Sequence, residues 1–415
     1  MTRYLAVLVC LSSAGCAVDE PDQVVVEQDA SLAFTRRHVT ADIYHYELVL
    51  PVGQGPNAAI RVHRVVREVA PFIPRATTRA VALLHGDFST FTTNFVPAQG
   101  SPASPVRGLA PYLAARNVDV WGFDRRWTLP GHDDDVSDFG TIGLAQAVHD
   151  TRAGLALART LRGGSGKLDL VGFSHGAQVV YAVAGYEGGL PAAQRHVGAI
   201  APLDWWGGYG PEQEADRLAA CAFSDEEYAL VADGVTDSPN DFFIDLGTFA
   251  RSAPNDLTPY ADFLGPITNR EAMLLVLGQT WQLVPYTPWY HLLAPGPDGL
   301  SETSEAAATA WIAGATPHQS MREAADFDAM LCGEHLPIAA PLSNIRVPIF
   351  YIGAAGGVGE LGIPATAKTS STNIRTLVIQ REDDVFSDFG HGDLLFADDA
   401  PALVWQPLAS WIAQH

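Results

Sequence analysis

The segment Gly172-Phe173-Ser174-His175-Gly176 is the part of this sequence best suited to chemistry. It follows the apolar run KLDLV and precedes AQVVYAVAGY, which reads as a helix. A serine on so tight a strand-to-helix turn projects its hydroxyl above a sheet, and the flanking glycines make room for the bend. A serine hydroxyl is a weak nucleophile until a base takes its proton. His391, in DFGHGDLLF, is the candidate base: it falls between the last strand-like run and the last helix. His175 is too close to the nucleophile to turn its ring towards it. A third group must hold the imidazole tautomer and stabilise the imidazolium. Two carboxylates qualify. Asp204 ends the run GAIAPLD, so its place at a strand terminus is well defined. Glu360 follows VPIFYIG on the Gly-rich stretch GAAGGVGELG. Asp388 and Asp393 flank His391 too closely to orient it. An oxyanion hole needs backbone N–H groups. His175 supplies one, and LLHGDF supplies the other from Asp87 or Phe88, with Phe88 preferred.

These residues need elements to position them, and the alternation of patterns supplies such elements. IYHYELVLPV and AIRVHRVV read as an antiparallel start. AVALLHG, VDVWGFD, KLDLVGF and HVGAIAPLD are short apolar runs of the kind buried parallel strands show, with helical patterns between them. Such alternation predicts an α/β fold, a mostly parallel sheet with helices on both faces. The rhythm stops at 205 and resumes near 345 with VPIFYIG, NIRTLVIQ and a final helix. The chain therefore divides into a core over 41–204 and 341–415 and an inserted, mainly helical cap over 205–340. Trp205, Trp206, Trp281, Trp289 and Tyr290 of the cap are candidates to wall an apolar substrate pocket, or to form the cap's own core.

The 415 residues carry 25 Lys+Arg against 47 Asp+Glu, a net charge of −22. That balance argues against a nucleic-acid partner and against docking by charge on anionic lipid. Hydrophobic residues at 47% exclude a disordered chain. Residues 1–16, MTRYLAVLVCLSSAGC, combine Arg3, an apolar run and small residues before Cys16. They read as a signal for export, periplasmic, outer-membrane-anchored or secreted. The residues before Cys16 resemble a lipoprotein cleavage site, although Ser13 stands where a branched aliphatic is usual; lipidation of Cys16 would make a membrane tether. Residues 17–40 are polar and read as a tether. In an oxidising compartment Cys221 and Cys332 make an even pair and predict a disulfide. HDDD at 132–135 reads as a solvated acidic loop, and no metal-ligand spacing, P-loop or dinucleotide fingerprint stands out.

From about residue 41 to the end, the sequence resembles the α/β-hydrolase superfamily, with a layout similar to its acid (gastric-type) lipase branch. The matching pieces are LLHGDF, GLAPYLAARNVDVWGFDRR, LVGFSHGAQ, AIAPLD, VPIFYIG and FGHGDLLFADDAPALVWQPLASWI. The resemblance implies Ser174 as nucleophile, His391 as base and the His175 N–H in the oxyanion hole. It departs at the acid, since the lipase branch carries an Asp where this chain has Gly356-Gly357. Dehalogenases and epoxide hydrolases of the superfamily use an Asp nucleophile, where this chain has Ser174. The expectation is an exported serine hydrolase of small-molecule or lipid-like esters that needs no cofactor. Amidase, thioesterase and C–C bond hydrolase chemistry use the same triad and stay open, as does a non-catalytic binder on this fold.

Overall fold

The computed structural model describes residues 34–96, 108–164, 166–282, 287–288 and 290–415. Its frame is one sheet of nine main strands: β1 Phe34–Thr40, β2 Ile43–Pro51, β3 Ala59–Ala70, β4 Arg79–Leu84, β5 Val118–Asp124, β6 Leu168–Phe173, β7 Val197–Leu203, β8 Ile349–Ala354 and β9 Ile374–Ile379. They run in the order β1-β2-β3-β5-β4-β6-β7-β8-β9. The first three pair antiparallel, and β3 also meets β5 antiparallel. From β5 to β9 every pairing is parallel. The parallel strands β5, β6 and β8 are buried at every residue. That is why they read as mainly apolar runs, while β2 and β3 mix buried with partly exposed residues.

Thirteen helices are assigned among the described residues, and eleven of them are named here: α1 Phe91–Phe95, α2 Leu109–Ala115, α3 Leu144–Leu161, α4 His175–Gly188, α5 Glu214–Ala232, α6 Asp241–Ser252, α7 Asn269–Gly278, α8 Glu305–Ala313, α9 Met321–Cys332, α10 Asp393–Phe396 and α11 Gln406–Ile412. Helix α4, straight after the Ser174 turn, is buried along nearly its whole length, as its apolar composition requires. The chain between Leu203 and Ile349 contains α5 to α9 and no strand of the main sheet, so these helices form the cap. Ser320 caps α9 by accepting the Glu323 N–H.

Residues 34–40, read from sequence as part of the tether, form β1 instead. Their alternation FTRRHVT pairs with β2, and Arg36 forms a bidentate ion pair with Glu68 on β3. Residues 1–33, with the proposed signal and Cys16, lie outside the described residues, as does Trp289. No described helix is long and apolar enough to cross a membrane.

Cys221 on α5 and Cys332 on α9 are joined in a disulfide across 111 residues of sequence. It closes nearly the whole cap into one loop. Replacing both cysteines by serine is therefore expected to destabilise by about 2–4 kcal/mol, because the unfolded chain regains loop entropy. Thermal melts with and without reductant check this: the wild type in reductant should fall to the melting temperature of the double variant.

Candidate active site

Three residues that follow strands β4, β6 and β7 have left-handed backbones: Phe88 with φ of 44°, Ser174 with φ of 57° and Asp204 with φ of 48°; Phe88 and Ser174 line one cavity. Non-glycine residues avoid this region, and strain of this kind concentrates where a side chain must be held at a set angle. At Ser174 the reason is visible. A Cβ on Gly172 would collide with the Gly176 carbonyl, and one on Gly176 would collide with the Leu84 carbonyl. Both glycines are needed for β6 to turn into α4 beside β4.

Ser174, His175 and His391 line a cavity of about 450 Å³, and Phe173 stacks on the His391 ring at 4.6 Å. The His391 Nδ1 lies 2.7 Å from Asp204 Oδ2. That leaves Nε2 as the nitrogen available to the serine. The Asp204 carboxylate is fully buried and also accepts the backbone N–H groups of Ala354, Val358 and Gly359 at 2.8, 3.0 and 2.9 Å. Four donors fix its plane. A Cβ on Gly357 would collide with Asp204 Oδ2. The missing side chain of Gly357 thus leaves the space that the Asp204 carboxylate occupies.

Glu360 is placed elsewhere. It sits exposed in the turn Gly359–Gly362, while Asp204 reaches the imidazole. Asp388 and Asp393 serve the His391 loop as anchors. Asp388 accepts from the Arg381 and Phe389 backbones, and Asp393 from the Ala294 and Gly390 backbones and from Thr303. Burial pushes the Asp393 carboxyl up to about 7. The returning cap segment also pairs with this loop, since His391 and Gly392 donate to the His291 and Leu292 carbonyls.

Gly86 packs against Ser174 so closely that a Cβ there would lie 2.9 Å from the serine Cβ. The loop His85–Phe88 therefore borders the hydroxyl. The Asp87 carboxylate meets Nδ1 of the His175 ring. The Phe88 ring stacks on Phe243 at 4.6 Å and meets Trp311. Of the cap aromatics expected to wall a pocket, Trp205, Trp281 and Tyr290 line the cavity. Trp206 does not: it is fully buried against Trp205 and Tyr209, in the packing beneath the site. Phe223, Phe242, Phe243 and Trp311 add to the wall. Ten of the 25 residues that line the cavity are Phe, Trp or Tyr.

One part of it is acidic. Glu227 on α5 and Asp328 on α9 both line it and share a hydrogen bond. Burial, and then the charge of Asp328, raise the Glu227 carboxyl from 4.5 to about 10. A carboxyl that holds its proton better when folded stabilises the fold at low pH and loses that contribution as pH rises towards the folded value. Wild-type melting temperature is expected to fall as pH rises from about 4.5 towards 10. In Glu227→Gln, melted over the same range, that slope should flatten. No sequence signal distinguished Glu227 from the other acids of the cap.

Two clusters among the described residues have metal-ligating types. Cys221 and Cys332, near Glu334, are bonded to each other, so they hold no ion. In the other, Arg37 can only donate, and its guanidinium lies 2.9 Å from His45 Nδ1. The His45 proton is then on Nε2, which meets His63 Nδ1 at 2.9 Å, and His63 Nε2 donates to Asp124 at 3.0 Å. Burial, with the nearby His63 and Arg37, holds His45 well below its usual pKa, in keeping with a neutral ring. The ring nitrogens are spent on one another, and this is a hydrogen-bonded chain. HDDD at 132–135 is an exposed loop, where His132 meets Asp241.

The strand order, the turn at Ser174 and the inserted cap define the α/β-hydrolase fold. The chain is similar in structure to a protein assigned as a lipase from Sulfolobus solfataricus, with a TM-score of 0.60 at 14% identity over 95% of this chain and 99% of that one. It also aligns with epoxide hydrolases from Vigna radiata (TM-score 0.48, 13% identity, 90% and 99% of the two chains) and Mycobacterium thermoresistibile (0.47, 16%, 88% and 98%). No protein-family model matches the sequence, and no curated protein matches it.

Proposed function

We propose that this chain is a serine hydrolase that cleaves carboxylic esters, with Ser174 as nucleophile, His391 as base and Asp204 as acid. The observation that carries the reading is the Asp204–His391 hydrogen bond beside a strained Ser174 in an aromatic cavity. Ser174 Oγ attacks the ester carbonyl as its proton passes to His391 Nε2, and the carbonyl electron pair moves onto oxygen. Collapse breaks the bond to the alcohol, which leaves with the proton from His391. Water then gives its proton to the same nitrogen, attacks the acyl-enzyme and releases the acid and Ser174. Backbone N–H groups carry the oxyanion charge. The aromatic wall favours an apolar or aromatic group in the substrate, and the reading gives no step to a cofactor. The acid after β7 separates this chain from the acid lipase layout.

We read the chain as exported, with Cys16 a lipidation site; the disulfide supports an oxidising compartment. The test is a panel of ester, thioester and amide substrates of matched shape on the purified mature protein. Esters are expected to turn over fastest. A preference for amides by a large factor in kcat/KM would replace the ester reading with an amidase one.

A further inference from the structure

Arg125 follows β5 and lies behind the His85–Phe88 loop, outside the cavity lining. It is buried, with its guanidinium 4.7 Å from the Trp127 ring centre and 5.8 Å from that of Phe327. Its Nη2 donates to the Gly86 carbonyl at 2.7 Å and to the His85 carbonyl at 3.1 Å. The Arg125 backbone N–H donates to His85 Nε2 at 3.2 Å, so the proton of a neutral His85 sits on Nδ1, which is 2.7 Å from the same Gly86 carbonyl. Burial, followed by the charge of Arg125, lowers His85 to about 3, so the ring is neutral. Two donors thus hold the Gly86 carbonyl away from the cavity.

Carbonyl and N–H point to opposite sides of a trans peptide, and no peptide bond here is cis. Holding the Gly86 carbonyl back therefore turns the Asp87 N–H forward. The Gly86 N–H cannot serve in its place, since it donates to Asn94 Oδ1 at 3.0 Å. On its other side Arg125 reaches the cap: Nη1 donates to Glu323 Oε1 at 2.6 Å, in the first turn of α9.

Resting on the serine-hydrolase reading, we infer that Arg125 is a positioning residue for the oxyanion hole: it aims the Asp87 N–H at the oxyanion and, through Glu323, ties that aim to the cap. The donor is then Asp87, paired with the His175 N–H, and not Phe88 as read from sequence. The contact between the Asp87 carboxylate and the His175 ring joins the two donor residues. A guanidinium suits the task because its planar fork can hold two carbonyls and a carboxylate at once, which an ammonium on a flexible stem does not.

The test is kinetic. Arg125→Met is expected to lower kcat by about 10²-fold with KM little changed, because the hole acts only as charge develops. A trifluoromethyl ketone, which adds to the serine and places an alkoxide in the hole, should lose affinity by a similar factor, while a product acid should bind as before. Arg125→Lys should recover part of the loss. Glu323→Gln keeps an oxygen towards Arg125 and guards against misfolding of the first variant; it should lower kcat in the same sense by less. Equal losses of ketone and product binding, in step with a lower melting temperature, would overturn the proposal, since they mark a structural role. An unchanged kcat in both Arg125 variants would overturn it as well. Labelling of wild-type Ser174 by a fluorophosphonate separates this from failure of the underlying reading: without that label the serine-hydrolase mechanism itself falls.

Discussion

Ser174→Ala is expected to lower ester turnover by about 10⁶-fold in kcat, and His391→Ala by a similar factor. The double variant should be little worse than either one. A nucleophile and its base act as a unit, so removing one leaves the other without a task. Folding should survive Ser174→Ala, because the alanine removes only a hydroxyl. Its left-handed backbone, φ of 57°, is imposed by the glycines on either side and costs alanine no less than serine. The measurement is fluorophosphonate labelling followed by peptide mass spectrometry, beside steady-state kinetics. One adduct per chain on Ser174, absent in Ser174→Ala and sharply reduced in His391→Ala, is the expected result. A well-folded wild type that stays unlabelled at high probe concentration would sink the mechanism.

The second large effect separates the two carboxylates. Asp204→Asn is expected to lower kcat by about 10⁴-fold, because an amide donating to His391 Nδ1 would hold the ring in the wrong tautomer. Glu360→Gln should change kcat by less than about twofold, as an exposed side chain away from the imidazole. Gly357→Ala makes a sharper version of the same test. It keeps Ser174, His391 and Asp204 in the sequence but pushes a methyl group into the space of Asp204 Oδ2. The buried carboxylate has nowhere else to go, so the histidine loses its partner and kcat should fall while apolar product binding persists. If Glu360→Gln proved as damaging as Asp204→Asn, the assignment of the acid would be wrong.

Much of the fold was readable without coordinates. Strands buried on both faces need mainly apolar runs, and β4, β5, β6, β7 and β8 all announce themselves that way. The edge of the sheet did not. FTRRHVT is polar because β1 has a neighbour on one side only, so composition assigned it to the tether.

The candidate site divides along the same line. Sequence order was enough to single out Ser174 and His391 as candidates, because each belongs to a local pattern: a glycine-flanked serine between strand and helix, and a histidine between the last strand and the last helix. Local chemistry likewise paired Cys221 with Cys332 once export was assumed. The choice between Asp204 and Glu360 needed tertiary structure. A carboxylate is placed by the loops that close around it, and here three backbone N–H groups from the loop after β8 grip an acid that follows β7. The oxyanion donor is the same kind of question. Both Asp87 and Phe88 follow the glycine, and the proposal for Asp87 rests on the contacts of Arg125 and His85 with the Gly86 carbonyl, which no local pattern shows. Arg125 and Glu323 lie 198 positions apart, and Glu227 meets Asp328 across two helices of the cap. Periodicity records which face of an element is buried; which distant polar groups meet there is decided by packing, where an unmatched buried charge or carbonyl is too costly to leave.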